Sequence, residues 1–428
     1  MNKPAPAVLL PSVGHQREGR PTEFLIKNAR LLDGRGPLTD TDLLIRDGRI
    51  AEIGSQLKAS SAIDANGRWL LPGLIDAHVH LSSFAMPAPP RGERLYETGV
   101  KPYAQAREAR NLLSAGITTV RDVGGYADEL FHLRRAIAAG MAPGPRLLLS
   151  GRIVSATSLG ARIFGTMYLT ANGPDEMRAA VRQVIADGAD LVKVMVTGAL
   201  TVDRENIHPT QMTPAELGAL VDEAHRLGVR VAAHAEGLDG IRLAVDCGVD
   251  TLEHGDLLHE EPAIADRMAE RGIILVPTLS VFHAVADDPR CCFTTALIDQ
   301  ADRLRESAYR SVATARAAGV RMAMGFDNTP HGDNAIELVR MVDAGLSTLE
   351  ALQAATTVAA EACGISDIGH ITMGAVADVL LVDDDPLVDV GVLTDPTRRW
   401  LVIQDGQAVA GTALAPTIPG WTRQEETP

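Results

Sequence analysis

Residues 72–81 read Pro-Gly-Leu-Ile-Asp-Ala-His-Val-His-Leu, an apolar run that ends in two histidines two positions apart. Side chains alternate across a strand, so His78 and His80 point to the same side of it. Pro72-Gly73 marks the break at which the run begins. An open doubly wound sheet would place a glycine-rich phosphate loop after its first strand. Here that position holds His-Val-His, so another parallel architecture is needed.

Downstream, one pattern recurs: an amphipathic helix, a glycine, then a short apolar strand. It reads LLSAG-ITTVRDVG, AIAAG-MAPGPRLLLSG, VIADG-ADLVKVMVTG, AHRLG-VRVAAHAEG, AVDCG-VDTLEHG, MAERG-IILVPTLS and ATARAAG-VRMAMGFD. Gly116, Gly140, Gly188, Gly228, Gly248, Gly272 and Gly319 fall where a helix ends in a left-handed residue. The strands are continuous Val/Ile/Leu-rich runs, as a parallel sheet covered on both faces requires. Helix starts agree: Thr213 to Glu216 and Ser347 to Glu350 are capping boxes, the first with proline at the first helical position. The seven units and the run at 74–81 supply the eight parallel strands of an α/β (β/α)8 TIM barrel.

The flanks read differently. Residues 22–73 contain short strands with an Asp47-Gly48 hairpin signal, and the end of the chain repeats the style with GAVADVLLVDDD and Asp405-Gly406. The expected division is a flexible tail over 1–21, a small composite β-sandwich domain from 22–73 and 365–415, the barrel over 74–364 and a second tail over 416–428. Two unrelated β-appendages are the alternative to a shared domain.

Composition sets outer limits. The chain has 428 residues, 46% hydrophobic and 22% charged, which suits a globular protein. A net charge of −15 argues against nucleic-acid or anionic-membrane partners, which call for basic patches. Cys247, Cys291, Cys292 and Cys363 form neither a disulfide framework nor a CxxC pair, and read as reduced thiols of a cytoplasmic protein. The longest apolar run near the N-terminus, Ala7 to Leu10, falls short of the roughly 7–15 residues of a signal peptide.

In a barrel, functional side chains gather at the C-terminal strand ends. Those positions hold His78 and His80 on strand 1, Lys193 on strand 4, His234 on strand 5, His254 on strand 6 and Asp327 on strand 8. A single histidine at a strand end is more often structural, but four from three strands at one height are not. Imidazoles with a carboxylate are the ligand set of zinc or a similar first-row ion. Lys193 interrupts the apolar run LVKVMV, where an unpaired ammonium is costly. A salt bridge to Asp327 would compensate. The sharper reading has its desolvated, neutral amine combined with CO₂ as a carbamate, whose two oxygens can bridge two metal ions.

PGLIDAHVH (72–80), Lys193 in LVKVMVTG, His234 in AAHAEG, His254 in TLEHG, Asp327 in MGFDNTPHGDN and GAVADVLLVDDDPL (374–387) together resemble the amidohydrolase superfamily over residues 23 to 411. Within it the chain is most similar to the imidazolonepropionase-like branch that includes Xaa-Pro and Xaa-Arg dipeptidases and ochratoxinase-type amidases. The resemblance implies two divalent ions, zinc first and Mn²⁺, Co²⁺ or Fe²⁺ as alternatives. It assigns His78, His80 and Asp327 to one, His234 and His254 to the other, and N6-carboxylated Lys193 to both. It further implies a metal-bridging hydroxide that cleaves a C–N amide bond of an N-acyl amino acid, dipeptide or related small amide. Asp327 would shuttle the proton as catalytic acid/base. A homo-oligomer acting on a small-molecule substrate is expected.

One departure bears on specificity. Dipeptidase-like members carry a glycine- and histidine-containing loop after strand 3, where this chain has SATSLGARIFG (155–165), and VTGAL after Lys193 lacks a double glycine. Carbamate, thiocarbamate or urea hydrolysis on the same centre is therefore the alternative activity, and a non-catalytic binding module a more remote one. His331 is a candidate substrate-binding residue and His283 a weaker one, while SSFAMPAPPRGERLYETGV after strand 1 is a candidate pocket cover or an ordinary surface excursion.

Overall fold

The computed structural model describes residues 23–33, 37–82, 99–126, 128–202, 204–287 and 293–414. Both expected tails, Cys291, Cys292 and most of the loop after strand 1 lie outside the described residues.

Parallel strands alternate with helices through the middle of the chain. Leu74–Val79, Ile117–Asp122 and Arg146–Leu149 form one parallel sheet. Ile153–Ser155, Leu191–Met195, Arg230–Ala235, Thr251–His254 and Ile274–Val276 form another, with Tyr168–Thr170 beside the first of them. Most of these strand residues are buried, as their uninterrupted apolar runs require. All seven unit glycines have positive φ, between 69° at Gly140 and 106° at Gly188. Both capping boxes form, with reciprocal side-chain and backbone bonds at Thr213/Glu216 and Ser347/Glu350.

Main-chain bonds cross the two gaps between the sheets. Asp190 N donates to Leu149 O at 2.8 Å. On the far side, Leu275 N donates to Arg321 O at 3.0 Å and Ala77 N to Met324 O at 2.8 Å. The expected eighth strand, at 321–327, is thus held from both sides yet makes only one bridge, Leu275 with Met322. The physical reason is Asp76. Its carboxylate accepts from Phe326 N at 3.2 Å and from His78 N at 3.0 Å, replacing ladder carbonyls by a side chain.

Strands from both chain ends share a third, eight-stranded sheet. Glu23–Leu32, Pro37–Arg46, Arg49–Gly54, Ala62–Asp64 and Trp69–Pro72 are continuous with Val379–Val382, Arg399–Gln404 and Gln407–Ala410. The sheet curls, so that Ile50 N donates to Ala375 O at 2.9 Å. Asp47-Gly48 and Asp405-Gly406 make two-residue turns with positive φ throughout. The turns touch: a Cβ on Gly48 would lie 2.9 Å from Asp405 O. Ile26, Leu43, Ile45, Val379, Leu381, Leu401 and Ile403 form the core of this sheet, separate from the main one. Among the described residues, no helix is long and apolar enough to cross a membrane.

Candidate metal centre and its cavity

Six side chains converge as their strand positions require. His78, His80, Lys193, His234, His254 and Asp327 all line one cavity. Ring centroids lie 5.3 Å apart for His78 and His80, 5.1 Å for His78 and His254, and 4.4 Å for His234 and His254. Asp327 Oδ1 stands 3.6 Å from Nε2 of both His78 and His80. One ligand atom each from His78, His254 and Asp327 lies within 4.8 Å of the others, a group able to hold one cation. His254 and Asp327 have φ of 71° and 42°, a left-handed backbone that non-glycine residues adopt at some cost and that clusters at functional sites.

Each imidazole is anchored through one nitrogen. His78 Nδ1 meets Glu253 Oε2 at 2.7 Å, His80 Nδ1 meets Gly124 O at 2.9 Å, His234 Nε2 meets Gly198 O at 3.0 Å and His254 Nδ1 meets Thr278 Oγ1 at 2.7 Å. Anchoring one nitrogen fixes the tautomer and the ring plane and leaves the other free to bind a cation. Burial, the main influence, lowers the affinity of all four for a proton, to about 4 for His80 and about 3 for His234. They are therefore neutral at physiological pH, as ligands must be.

Behind the ring lies a network that sequence reasoning missed. Glu253, fully buried, also accepts from Arg121 Nη2 at 2.8 Å, and Arg121 reaches Ala77 O at 2.6 Å and Thr251 Oγ1 at 3.0 Å. One buried ion pair thus ties Leu74–Val79, Ile117–Asp122 and Thr251–His254 together behind His78. Its sequence signal was present but unread: charged residues inside apolar strands, at Arg121 in ITTVRD and Glu253 in TLEH. Asp76, which also accepts from Asn334 Nδ2 at 2.8 Å, was missed in the same way.

Lys193 Nζ is buried and makes no hydrogen bond among the described residues. Burial lowers its pKa to about 8, against the opposing pull of Glu253 and Asp327. Burial likewise pushes the Asp327 carboxyl up to about 7, opposed chiefly by Lys193. A direct hydrogen-bonded salt bridge, the simple alternative for Lys193, is not made.

His331 is not among the residues lining the cavity. It is buried behind Phe326, with ring centroids 6.2 Å apart, and its Nδ1 meets Asn334 Nδ2 at 3.2 Å. His283 also sits outside it, paired with Asp287 and Tyr309. The cavity instead gains two buried carboxylates, Glu236 and Asp256, whose affinity for a proton burial raises well above the ordinary range. Glu236 accepts from Leu200 N at 2.9 Å. The remaining walls are largely apolar, with Ile153, Phe164, Met167, Met195, Phe282 and Phe293 among them.

Comparison with known proteins agrees with this geometry. The model of the amidohydrolase family matches residues 69–410. Ochratoxinase of Aspergillus niger is 30% identical over an alignment covering 90% of this chain and 86% of the relative. Imidazolonepropionase of Ralstonia nicotianae is 27% identical, covering 87% and 94%. A solved Xaa-Pro dipeptidase with methionine bound in its active site superimposes with a TM-score of 0.82 at 29% identity, covering 90% of this chain and 99% of that one. This likeness makes the central fold one of TIM-barrel type. With the family match running through every strand that carries a cavity histidine, the chain belongs to the amidohydrolase family and is a hydrolase.

Proposed function

We propose that this protein is a binuclear metal-dependent amidohydrolase that cleaves the C–N amide bond of an N-acyl amino acid, a dipeptide or a related small amide. The observation that carries the reading is the cavity itself, where four anchored, neutral imidazoles surround Asp327 and a lysine amine without a hydrogen-bond partner. That donor set fits divalent cations. His78, His80 and Asp327 would hold one ion, His234 and His254 the second, and Lys193, carboxylated on Nζ, would serve both, with zinc the first candidate. A buried neutral amine is the form that adds CO₂, and the resulting anion would satisfy a nitrogen otherwise left unpaired. Ions bound there supply Lewis-acid polarisation of a carbonyl and acidify water.

The protein's own residues do the rest. Asp327 faces the nitrogens of His78 and His80 and is the cavity group placed to take a proton from water and return it to the leaving nitrogen. Glu253 and Arg121 hold His78 in one orientation, and burial of His78, Lys193, His234 and His254 keeps bulk water from most of the ring. The ochratoxinase and Xaa-Pro dipeptidase relatives support an amide as the bond broken. The same reading closes the parallel strands into a (β/α)8 barrel over 74–364, supported by the bonds through 190 and 321–327. It places a β-sandwich domain at 22–73 and 365–415, supported by the curled sheet from both chain ends. It has the protein act in the cytoplasm as a homo-oligomer.

The test is a hydrolysis screen across N-acyl amino acids, dipeptides, carbamates and ureas, run beside metal analysis of protein purified without chelators. Amide turnover with about two ions per chain is expected. Turnover of carbamates or ureas alone would replace the bond assignment, and protein free of any transition metal would overturn the centre. Labelling with ¹³C-bicarbonate provides a readout apart from activity: a carbamate carbon signal is expected, and Lys193→Ala should abolish it.

A further inference from the structure

The segment after strand Ile153–Ser155, which lacks the histidine expected there, does something else in the fold. It forms helix Leu159–Phe164, a short 3₁₀ turn Gly165–Met167 and strand Tyr168–Thr170. The start of the helix is fixed twice, by Ser158 Oγ accepting from Ala161 N at 3.1 Å and by Glu205 Oε1 accepting from Gly160 N at 3.0 Å. This path delivers Phe164, Met167 and Tyr168 to the cavity. Phe164 and Tyr168 stack with centroids 5.7 Å apart and planes 9° from parallel. A second apolar surface comes from helix Ser280–Ala286 and from Phe293.

Aromatic residues are scarce in this chain, at 4%. Among the described residues, three phenylalanines line this one cavity: Phe164, Phe282 and Phe293. Core packing explains Phe282, which is 1% exposed. Phe164 and Tyr168 pack against the small cluster around Ile153, Met167 and Met195, and Phe293 against the main core, yet all three are only half-buried and line the cavity that holds the metal ligands. Aromatic surface left facing water is unfavourable unless something covers it. The flatness of the stacked pair selects among apolar occupants, because a ring can offset-stack on it or meet its edge and an alkyl chain cannot.

We propose that the Phe164–Tyr168 pair is a specificity subsite for an aromatic ring carried by the substrate beside its scissile amide. The proposal rests on the amide-hydrolase reading and names the substrate class within it.

The test uses the full-length, metal-loaded protein and two matched pairs: N-acetyl-phenylalanine against N-acetyl-alanine, and N-phenylacetyl-glycine against N-acetyl-glycine. The first pair places the ring on the amine side and the second on the acyl side. In at least one pair kcat/KM should favour the ring by about tenfold or more, the size expected for a stacked aromatic contact with its buried area. Phe164→Ala should bring that ratio close to one, Phe164→Leu should leave it in between, and Tyr168→Phe, which keeps the ring, should preserve it. Ratios near one in the wild type, or an unchanged ratio in Phe164→Ala and Phe164→Leu, overturn the subsite. A wild type that turns over none of the four compounds counts against the amide reading, and the subsite is then judged by calorimetric titration with phenylacetamide and acetamide. Ring-dependent binding that weakens in Phe164→Ala upholds it, and equal binding of the two compounds overturns it.

Discussion

His78, Lys193, His234 and His254 stand on strands bound on both edges by neighbouring main chain, while Phe164 and Met167 stand on one short helix and the turn after it, and Tyr168 opens a three-residue strand at the edge of its sheet. The two regions face the same cavity and differ in what holds them. Each cavity imidazole has a second bond behind it, and His78 has a buried ion pair behind that. The aromatic wall is fixed by a helix cap, one glutamate and the pairing of Tyr168–Thr170 along one edge with Ile153–Ser155. A rigid ring with a loosely tied wall lets chemistry stay fixed while the pocket is remodelled, because only groups that touch reacting atoms need sub-ångström placement.

The largest effect that would sharpen this contrast is expected from Lys193→Ala. Turnover should fall on the order of 10³-fold or more, with loss of bound metal, if the lysine bridges two ions. Binding of phenylacetamide should survive, since the wall is untouched. Loss of ring binding together with activity would show that the two regions are one unit.

Asp327→Asn comes next. Losing the proton carrier should cost on the order of 10²–10⁴-fold in kcat, while the fold and much of the bound metal remain. Near wild-type kcat in that variant would remove Asp327 from its catalytic role.

Glu253→Gln probes the support behind the ring rather than the ring itself. It keeps the shape but takes the negative charge from between Arg121 and His78. Metal affinity, measured by competition with a chromophoric chelator, should weaken roughly 10- to 100-fold. Unaltered affinity would mean that the strands alone orient His78.

The smallest effect concerns the other half of the wall. Glu337 accepts from Leu279 N at 2.7 Å and Ser280 N at 2.8 Å, and so anchors helix Ser280–Ala286. Burial raises its pKa from 4.5 to about 7. The folded state thus holds this proton over a range where the unfolded state has released it, so the wild type loses stability as pH rises from about 4.5 to 7. Urea midpoints of metal-free wild type minus those of Glu337→Gln should fall across that window and level off above it. A difference that rises with pH would contradict the assignment.

The parallel strands were legible because two signals coincided in each unit, an apolar run and a glycine that must take positive φ. The six ring residues were legible because polar groups at apolar strand ends are conspicuous. Residues 321–327 were legible in their place beside Ile274–Val276 and Leu74–Val79, but they form no regular strand, and no local pattern announces that Asp76, some 250 residues earlier, takes the place of ladder carbonyls. His331 looked like a pocket residue from its place four residues after Asp327. It lies instead beside Phe326 and is not among the residues lining the cavity.

By itself, then, the sequence determined the strand-and-helix order, the pairing-competent hairpins at both ends and the identity of the six polar groups that meet in one cavity. These depend on local periodicity, turn chemistry and side-chain type, all of which act within a few residues. Only the tertiary structure decided what stands behind and beside those groups. The Glu253–Arg121 pair behind His78, the meeting of the Asp47-Gly48 and Asp405-Gly406 turns, and the stacked Phe164–Tyr168 wall follow from packing between distant segments. Such contacts are set by shape and burial across the whole chain, and no window of sequence contains them.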